Sequence, residues 1–258
     1  MNCTGPADVT VAVLAGGLGT RLRPAVGDRP KVLAEVNGRP FLSYLLDQVA
    51  DAGFEQVVLC TGYRAAAVEA EFGTVYRTLR LGYSRELEPL GTGGALRQAL
   101  PCLETGTVLA LNGDSFTDVD LADFWRGHSR SQARASLLLV WMAEAGRYGQ
   151  VELSSEENIL SFREKDPDAP AGWINAGVYL LERGLIAALP AGRSVSLERE
   201  SFPSWLGLPL RGVPARKRFL DIGTPESYRR AEEFFSLRKQ GRSPEALPMA
   251  EASMESKK

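Results

Sequence analysis

The chain has 258 residues, with 30 Lys and Arg against 32 Asp and Glu and a formal net charge of -2, which excludes a strongly basic nucleic-acid binder. At 44% hydrophobic and 24% charged residues it can fill a sizeable core, so disordered and fibrous classes drop out. Three cysteines, Cys3, Cys60 and Cys102, without C-x-x-C spacing, and a single histidine, His128, argue against a disulfide framework, a Cys- or His-ligated zinc site and a Ser-His-Asp machine.

Residues 9–14 (VTVAVL) form a β-rich run closed by Ala15-Gly16-Gly17, and 41–52 carry Leu42, Leu45, Leu46 and Val49 on one helical face. Strand, loop, helix is the first unit. A second buried strand is predicted at 56–60, ended by Thr61-Gly62, then a short helix at 64–72 and a weakly alternating strand at 75–83. A helix at 94–100 precedes the apolar run 107–111, which ends in Asn112-Gly113-Asp114. This alternation predicts an α/β fold with a mostly parallel sheet covered on both faces. Beyond it, 136–142, 150–153, 159–163 and 173–181 read as strands, and 197–206 and 225–238 as helices. No linker or repeat divides the chain, so one domain over 1–239 is expected, and the small polar residues of 240–258 predict a disordered tail. The first residues lack a basic n-region, and the longest apolar stretch, 135–143, is about half of the ~20 residues of a membrane helix. A cytoplasmic protein without a membrane or nucleic-acid partner is expected.

The most informative segment runs from Leu14 to Pro24, Leu-Ala-Gly-Gly-Leu-Gly-Thr-Arg-Leu-Arg-Pro. Glycines directly after an apolar strand let backbone N–H groups approach an anion, so a phosphate is the natural guest. The loop is no Walker A motif, because the residue five after Gly16 is Arg21, and no dinucleotide fingerprint, because Leu22 stands where the third glycine belongs. Arg21 and the later Lys31, set by Pro30, supply a planar donor fork and a point charge suited to a polyphosphate. A flexible surface turn with solvated charges is the bland alternative.

The pattern G-G-x-G-T-R-L-x-P followed by Pro30-Lys31 resembles the signature of the sugar-1-phosphate nucleotidyltransferases, which make nucleotide sugars from a nucleoside triphosphate and a sugar 1-phosphate. Further segments stand in that family's order: Gly91-Thr92-Gly93-Gly94, Asn112-Gly113-Asp114, Arg147-Tyr148-Gly149, Glu164-Lys165, Asn175-Ala176-Gly177 and Asp221-Ile222-Gly223. The run from Glu88 to Gly94, with Asn112-Gly-Asp and Phe219-Leu-Asp-Ile-Gly, is most similar to the D-glycero-α-D-manno-heptose 1-phosphate and mannose-1-phosphate guanylyltransferases. The resemblance implies a Rossmann-like three-layer sandwich of GT-A-like type, with a nucleotide-binding N-terminal half and a sugar-phosphate-binding C-terminal half. It implies transfer of GMP from GTP to D-glycero-α-D-manno-heptose 1-phosphate, with mannose 1-phosphate as an alternative acceptor, and release of pyrophosphate. Another pairing, such as N-acetylmuramate 1-phosphate with UTP, is the alternative, and a homo-oligomer is left open. A non-catalytic sensing subunit would be expected to have lost a charged position, yet Arg21, Lys31, Asp114, Lys165 and Asp221 are all present.

Carried over residue by residue, the resemblance places the nucleotide on Leu14, Ala15, Gly16, Gly17, Gly19, Thr20, Gly91, Thr92 and Gly93. Arg21, Lys31 and Asp114 become catalytic, and Asp114 with Asp221 holds Mg²⁺. The sugar phosphate falls to Asn112, Gly149, Glu164, Lys165 and Asn175. Read on their own, several of these residues keep plainer alternatives. Asp114 could flank an Asn-Gly hairpin turn, Asp221 could cap the helix near Pro225, and Glu164-Lys165 could be a solvated bend. Asn175 is harder to explain away, since a strand interior disfavours Asn. Guanine presents N–H donors on one edge, so Glu86 or Glu88 is the expected reader, or else a solvated loop charge. The implied step is in-line attack by the sugar phosphate on the α-phosphorus. A phosphate monoester with a second pKa of about 6 arrives ionised and needs no general base.

Overall fold

The computed structural model describes residues 5–163, 166 and 168–239. Glu164, Lys165 and the expected tail lie outside the described residues. Its first strands are β1 (Thr10–Ala15), β2 (Glu35–Val36), β3 (Arg39–Pro40), β4 (Gln56–Thr61), β5 (Val75–Tyr76), β6 (Leu79–Arg85) and β7 (Thr107–Asn112). Then come β8 (Ser115–Thr117), β9 (Ala135–Met142), β10 (Gln150–Leu153), β11 (Ile159–Arg163), β12 (Gly172–Glu182), β13 (Leu210–Ala215) and β14 (Phe219–Asp221). The helices are α1 (Arg23–Val26), α2 (Phe41–Asp51), α3 (Ala65–Phe72), α4 (Gly91–Ala99) and α5 (Leu121–Ser129). They are followed by α6 (Arg183–Ala187), α7 (Phe202–Ser204), α8 (Pro225–Arg229) and α9 (Ala231–Lys239).

Alternating apolar side chains make one mixed ten-stranded sheet with a core on each face. In β1, Val11, Val13 and Ala15 point to one core and Ala12 to the other, and in β7 Leu109 and Leu111 oppose Val108 and Ala110. The first core is closed by α2, α3, α5 and α9 through residues such as Phe41, Leu46, Phe72, Phe124 and Phe235. The second is closed by α4, α6 and α7 through Leu96, Ile186 and Phe202. Each fully buried Leu or Phe contributes about 1.5–3 kcal/mol relative to leaving it in water. The result is the three-layer α/β sandwich expected. The sheet is parallel across β7, β1, β4 and β6 and antiparallel where β12 joins β7, β9 and β10.

The chain departs from its sequence reading in four places. Residues 75–83 split into a hairpin of β5 and β6, with Arg77 at a positive φ of 51° in the turn. The helix expected at 197–206 opens as a π-helical turn, Leu197–Ser201, before α7. The helix expected at 225–238 breaks at Arg230 into α8 and α9. After Asn112-Gly113-Asp114 a short strand does follow, but β8 pairs with the distant β14 instead of folding back on β7. This last ladder matters most: it sets Asp221 opposite Ser115, and the Ile222 N–H donates to the Asp114 carbonyl at 3.0 Å. Asp114 and Asp221, far apart in the chain, are thereby made neighbours. Among the described residues, no helix is long and apolar enough to cross a membrane.

Candidate active site

Parallel strands β1, β4 and β7 end side by side, and the loops at their C-terminal ends surround a cavity of about 260 Å³. The glycine loop lies close under Glu86: a Cβ at Gly16 would stand 2.5 Å from Glu86 Oε1 and oblige the end of that side chain to shift. Space around Gly17 is open, which leaves its backbone free to meet a ligand. At the end of β7 the Gly113 N–H donates to the Leu14 carbonyl at 3.0 Å, and a Cβ would crowd that oxygen at 2.7 Å. The Asn112-Gly113-Asp114 corner is thus laid against the root of the glycine loop. It brings Asp114 to Lys31, whose Nζ donates to Asp114 Oδ2 at 2.6 Å. The lysine side chain is 11% exposed and the aspartate 44%, so the cation is sunk and the carboxylate faces the opening.

Leu14, Ala15, Gly16, Gly17, Lys31, Glu86, Gly91, Thr92, Asn112 and Asp114 all line this cavity. Glu86 is half-buried; burial raises its pKa above the usual carboxylate range, against the opposing pull of the Leu90 N–H at 2.9 Å. Glu88 is exposed and lies outside the lining. Gly93 is turned to the protein, its N–H donating to the Val195 carbonyl at 2.8 Å. The Thr92 hydroxyl is likewise committed, donating to Glu198 Oε2 at 2.7 Å and accepting from the Leu197 N–H at 2.8 Å. Gly19 turns the loop at a φ of 59°, and Thr20 and Arg21 stand exposed on its rim. Arg21 has no hydrogen-bond or ion-pair partner among the described residues.

A second cavity, of about 310 Å³, adjoins the first at Asn112, which lines both. Gly149 and Asn175 line it, together with Tyr148, Gln150, Arg163, Tyr179, Glu198 and Arg199. Asn112 Oδ1 is buried without a hydrogen-bond partner, in the residue that stands at the junction. Buried Tyr179 has its pKa raised well above the ordinary value by burial and then by Glu198.

A nucleotidyl transferase family model matches residues 10–237. The chain belongs to that family. It is 39% identical over 224 residues to mannose-1-phosphate guanylyltransferase of Mycobacterium tuberculosis, covering 85% of this chain and 62% of that protein. It is 35% identical over 222 residues to D-glycero-alpha-D-manno-heptose 1-phosphate guanylyltransferase of Aneurinibacillus thermoaerophilus, covering 86% of this chain and 96% of that one. Among solved structures, HddC from Yersinia pseudotuberculosis superposes with a TM-score of 0.78 at 30% identity, over 88% of this chain and 99% of that one. HddC has also been solved in complex with GMP-PN.

In this nucleotidyl transferase the fold alone brings the backbones of Asp114 and Asp221 together, with Asp114 lining the first cavity. Asp221 sits across the β8–β14 ladder from Ser115, and its Oδ1 accepts from the Gly223 N–H. It lines a third cavity of about 250 Å³ beside Tyr148, whose pKa is raised by burial and then by Asp221. Capping of α8 is done instead by Thr224, which closes a capping box with Ser227. Among the described residues no group of three or more His, Cys, Asp or Glu side chains could hold a metal. The donors on offer are Asp114, whose Oδ1 accepts no hydrogen bond among the described residues, and Asp221. Carboxylate oxygens in this number suit Mg²⁺, which takes one or two carboxylates together with substrate phosphates.

Tyr179, Glu198 and Arg199 escaped the sequence reading. Tyr179 stands in an apolar run that reads as core, and Glu198 and Arg199 stand in the first turn of a helix, where charge is ordinary. The signal that was available is the π-helical opening of that segment, a form concentrated at functional sites, but it is visible only in three dimensions.

Proposed function

We propose that this chain transfers GMP from GTP to a sugar 1-phosphate, a D-glycero-α-D-manno-heptose or mannose 1-phosphate, releasing pyrophosphate. The observation that carries the reading is the pair of cavities meeting at Asn112. One is walled by a glycine loop and the Lys31–Asp114 pair, the other by amide, hydroxyl and carboxylate groups of the kind that bind a sugar. The two named relatives, both guanylyltransferases by name, and HddC, solved with GMP-PN, support the choice of base and sugar.

In this reading the backbone at Gly17 and the side chains of Arg21 and Lys31 hold the triphosphate, with Arg21 swinging in from the rim. Glu86, the glutamate that faces the cavity, accepts from the guanine edge. The sugar lies in the second cavity, with a hydroxyl donating to Asn112 Oδ1, a ring oxygen accepting from Asn175, and Gly149 beneath it. By the family resemblance Glu164 is given to the sugar hydroxyls and Lys165 to the sugar phosphate; both lie outside the described residues. Asp114 and Asp221 would hold Mg²⁺, which supplies charge neutralisation on the phosphates. The sugar phosphate, ionised above a second pKa of about 6, attacks the α-phosphorus in line with the departing pyrophosphate. The work left to the protein is alignment and charge stabilisation. The setting is the cytoplasm, where nucleoside triphosphates are available.

The test is pyrophosphate release from four nucleoside triphosphates crossed with heptose, mannose, glucose and N-acetylmuramate 1-phosphates, with and without EDTA. GTP with a heptose or mannose 1-phosphate should lead by at least about tenfold, the scale of one well-placed contact, and EDTA should abolish release. Leadership by UTP with N-acetylmuramate 1-phosphate, or release untouched by EDTA, overturns the assignment.

A further inference from the structure

Along the walls of the two cavities runs a single chain of hydrogen bonds with Glu198 at its centre. Glu198 Oε2 accepts from Thr92 Oγ1 at 2.7 Å and from Ser196 Oγ at 2.9 Å, and Oε1 accepts from the Tyr179 hydroxyl at 3.2 Å. A carboxylate only accepts, so all three hydroxyls are forced to donate to it. Their own oxygens are then filled from behind. Thr92 accepts from the Leu197 N–H at 2.8 Å, Ser196 from the Arg199 N–H at 3.1 Å, and Tyr179 from Asn175 Nδ2 at 2.9 Å. The other end of the Asn175 amide is fixed as well, since Oδ1 accepts from the Gly177 N–H at 2.9 Å. An amide can otherwise sit either way round. Here the Gly177 N–H and the Tyr179 hydroxyl, its proton drawn to Glu198, hold the amide from both ends and leave Asn175 one N–H to offer to the second cavity.

We infer that Glu198 is a positioning residue for sugar selection: it locks the Asn175 amide as a donor through Tyr179 and ties that setting, through Thr92, to the wall of the nucleotide cavity. The inference rests on the proposed function and specifies how its sugar side discriminates. Asn175 Nδ2 is a fixed donor at the second cavity, so sugars differing in the orientation of one hydroxyl are told apart by whether they can accept from it. The sugar choice is then set by a residue that need not touch the sugar.

The experiment compares the wild type with Glu198→Gln, Tyr179→Phe and Thr92→Val, all checked for an unchanged Tm within a few degrees. The readout is the ratio of kcat/KM for mannose 1-phosphate to that for glucose 1-phosphate, at fixed GTP. The amide introduced by Glu198→Gln places a donor at the centre and releases the direction of the chain. This variant should change the ratio at least about fivefold, mostly through the sugar KM. Tyr179→Phe should shift the ratio the same way, and it carries the test if Glu198→Gln does not fold. Thr92→Val should move it less and add nothing to Glu198→Gln when the two are combined. A ratio unchanged in both Glu198→Gln and Tyr179→Phe, with activity on both sugars falling by one factor, reduces Glu198 to a packing residue and overturns the inference. Calorimetric titration with the same two sugar phosphates reads the selectivity without turnover. A wild type that binds them and transfers nothing refutes the proposed reaction while the Kd ratios still judge Glu198, and one that binds neither refutes both.

Discussion

Acidification gives a test that the composition makes unusually clean, because His128 is the only histidine in the chain. It lies on α5, 7% exposed, with Nδ1 at 2.8 Å from Ser136 Oγ. Burial, and then the nearby Arg211, lower its pKa from 6.5 to about 4. A depressed folded-state pKa means that the unfolded chain takes up the proton first, so the stability is complete above about pH 6.5 and is lost as pH falls toward 4. Linkage with these two values gives a loss of about 2 kcal/mol between pH 7 and pH 5, and about 3 kcal/mol once both states are protonated. For a chain of this size 2 kcal/mol is a fall in Tm of roughly 4–8 °C. The assay is urea unfolding of wild type and His128→Gln at pH 7 and pH 5. Gln keeps a partner for Ser136 and does not titrate in this range. The variant should be the less stable at pH 7, yet lose about 2 kcal/mol less on going to pH 5. Equal losses in the two chains, or an imidazole proton resonance titrating near pH 6.5 in the folded wild type, refute the reasoning.

Asp114→Asn and Arg21→Ala should each cut turnover by about two orders of magnitude or more, the scale of losing a charged contact to reacting phosphates, with circular dichroism unchanged. Near-normal turnover in either removes that residue from the site. Gly16→Ala should raise the KM for the triphosphate several-fold and cost at most about 1–3 kcal/mol in a melting curve, because the new methyl pushes on Glu86 Oε1, the movable end of a side chain whose other oxygen holds the Leu90 N–H. A wild-type KM would show that the loop yields without effect. Glu86→Gln should lower the preference for GTP over ATP by roughly 10- to 100-fold, the cost of facing guanine donors with an amide donor. An unchanged preference hands the reading of the base to another group.

What the sequence made legible follows from range. The strands β1, β4 and β7 are apolar runs whose buried character is local, and their bounds lie within a residue or two of those read from the sequence. The glycine loop and Asn112-Gly113-Asp114 were legible because a turn against backbone demands small residues in series. β8 and β14 were missed for the opposite reason. At three residues each they have no period to detect, and they exist as strands only through each other. The same holds for Thr92: its position in a glycine-rich segment pointed to a ligand, while its hydroxyl is spent on Glu198, 106 residues away. Glu86 and Glu88 were equivalent in sequence and are separated only by the local backbone turn that faces one to Gly16 and the other to solvent.

The junction of the two cavities has its origin in one irregularity of the sheet. Before its bulge, β12 pairs with β9 on one edge and with β10, at Ile174, on the other. After it, from Val178 on, β9 continues along the first edge while β7 takes the second. β7 and β10 therefore share one edge of β12 end to end, and neither pairs with Asn175 through Gly177. Into that gap comes Asn112, the last residue of β7, against Gly177, where a Cβ would stand 2.7 Å from its Nδ2. Gly177 also needs a φ of 74°, which other residues adopt only under strain. The bulge thus interrupts the ladder at the C-terminal end of the parallel strands, where an α/β sheet already places one ligand. Asn112 can then serve two cavities at once. The parallel half supplies one cavity, and a break in the antiparallel half opens a second within reach of it.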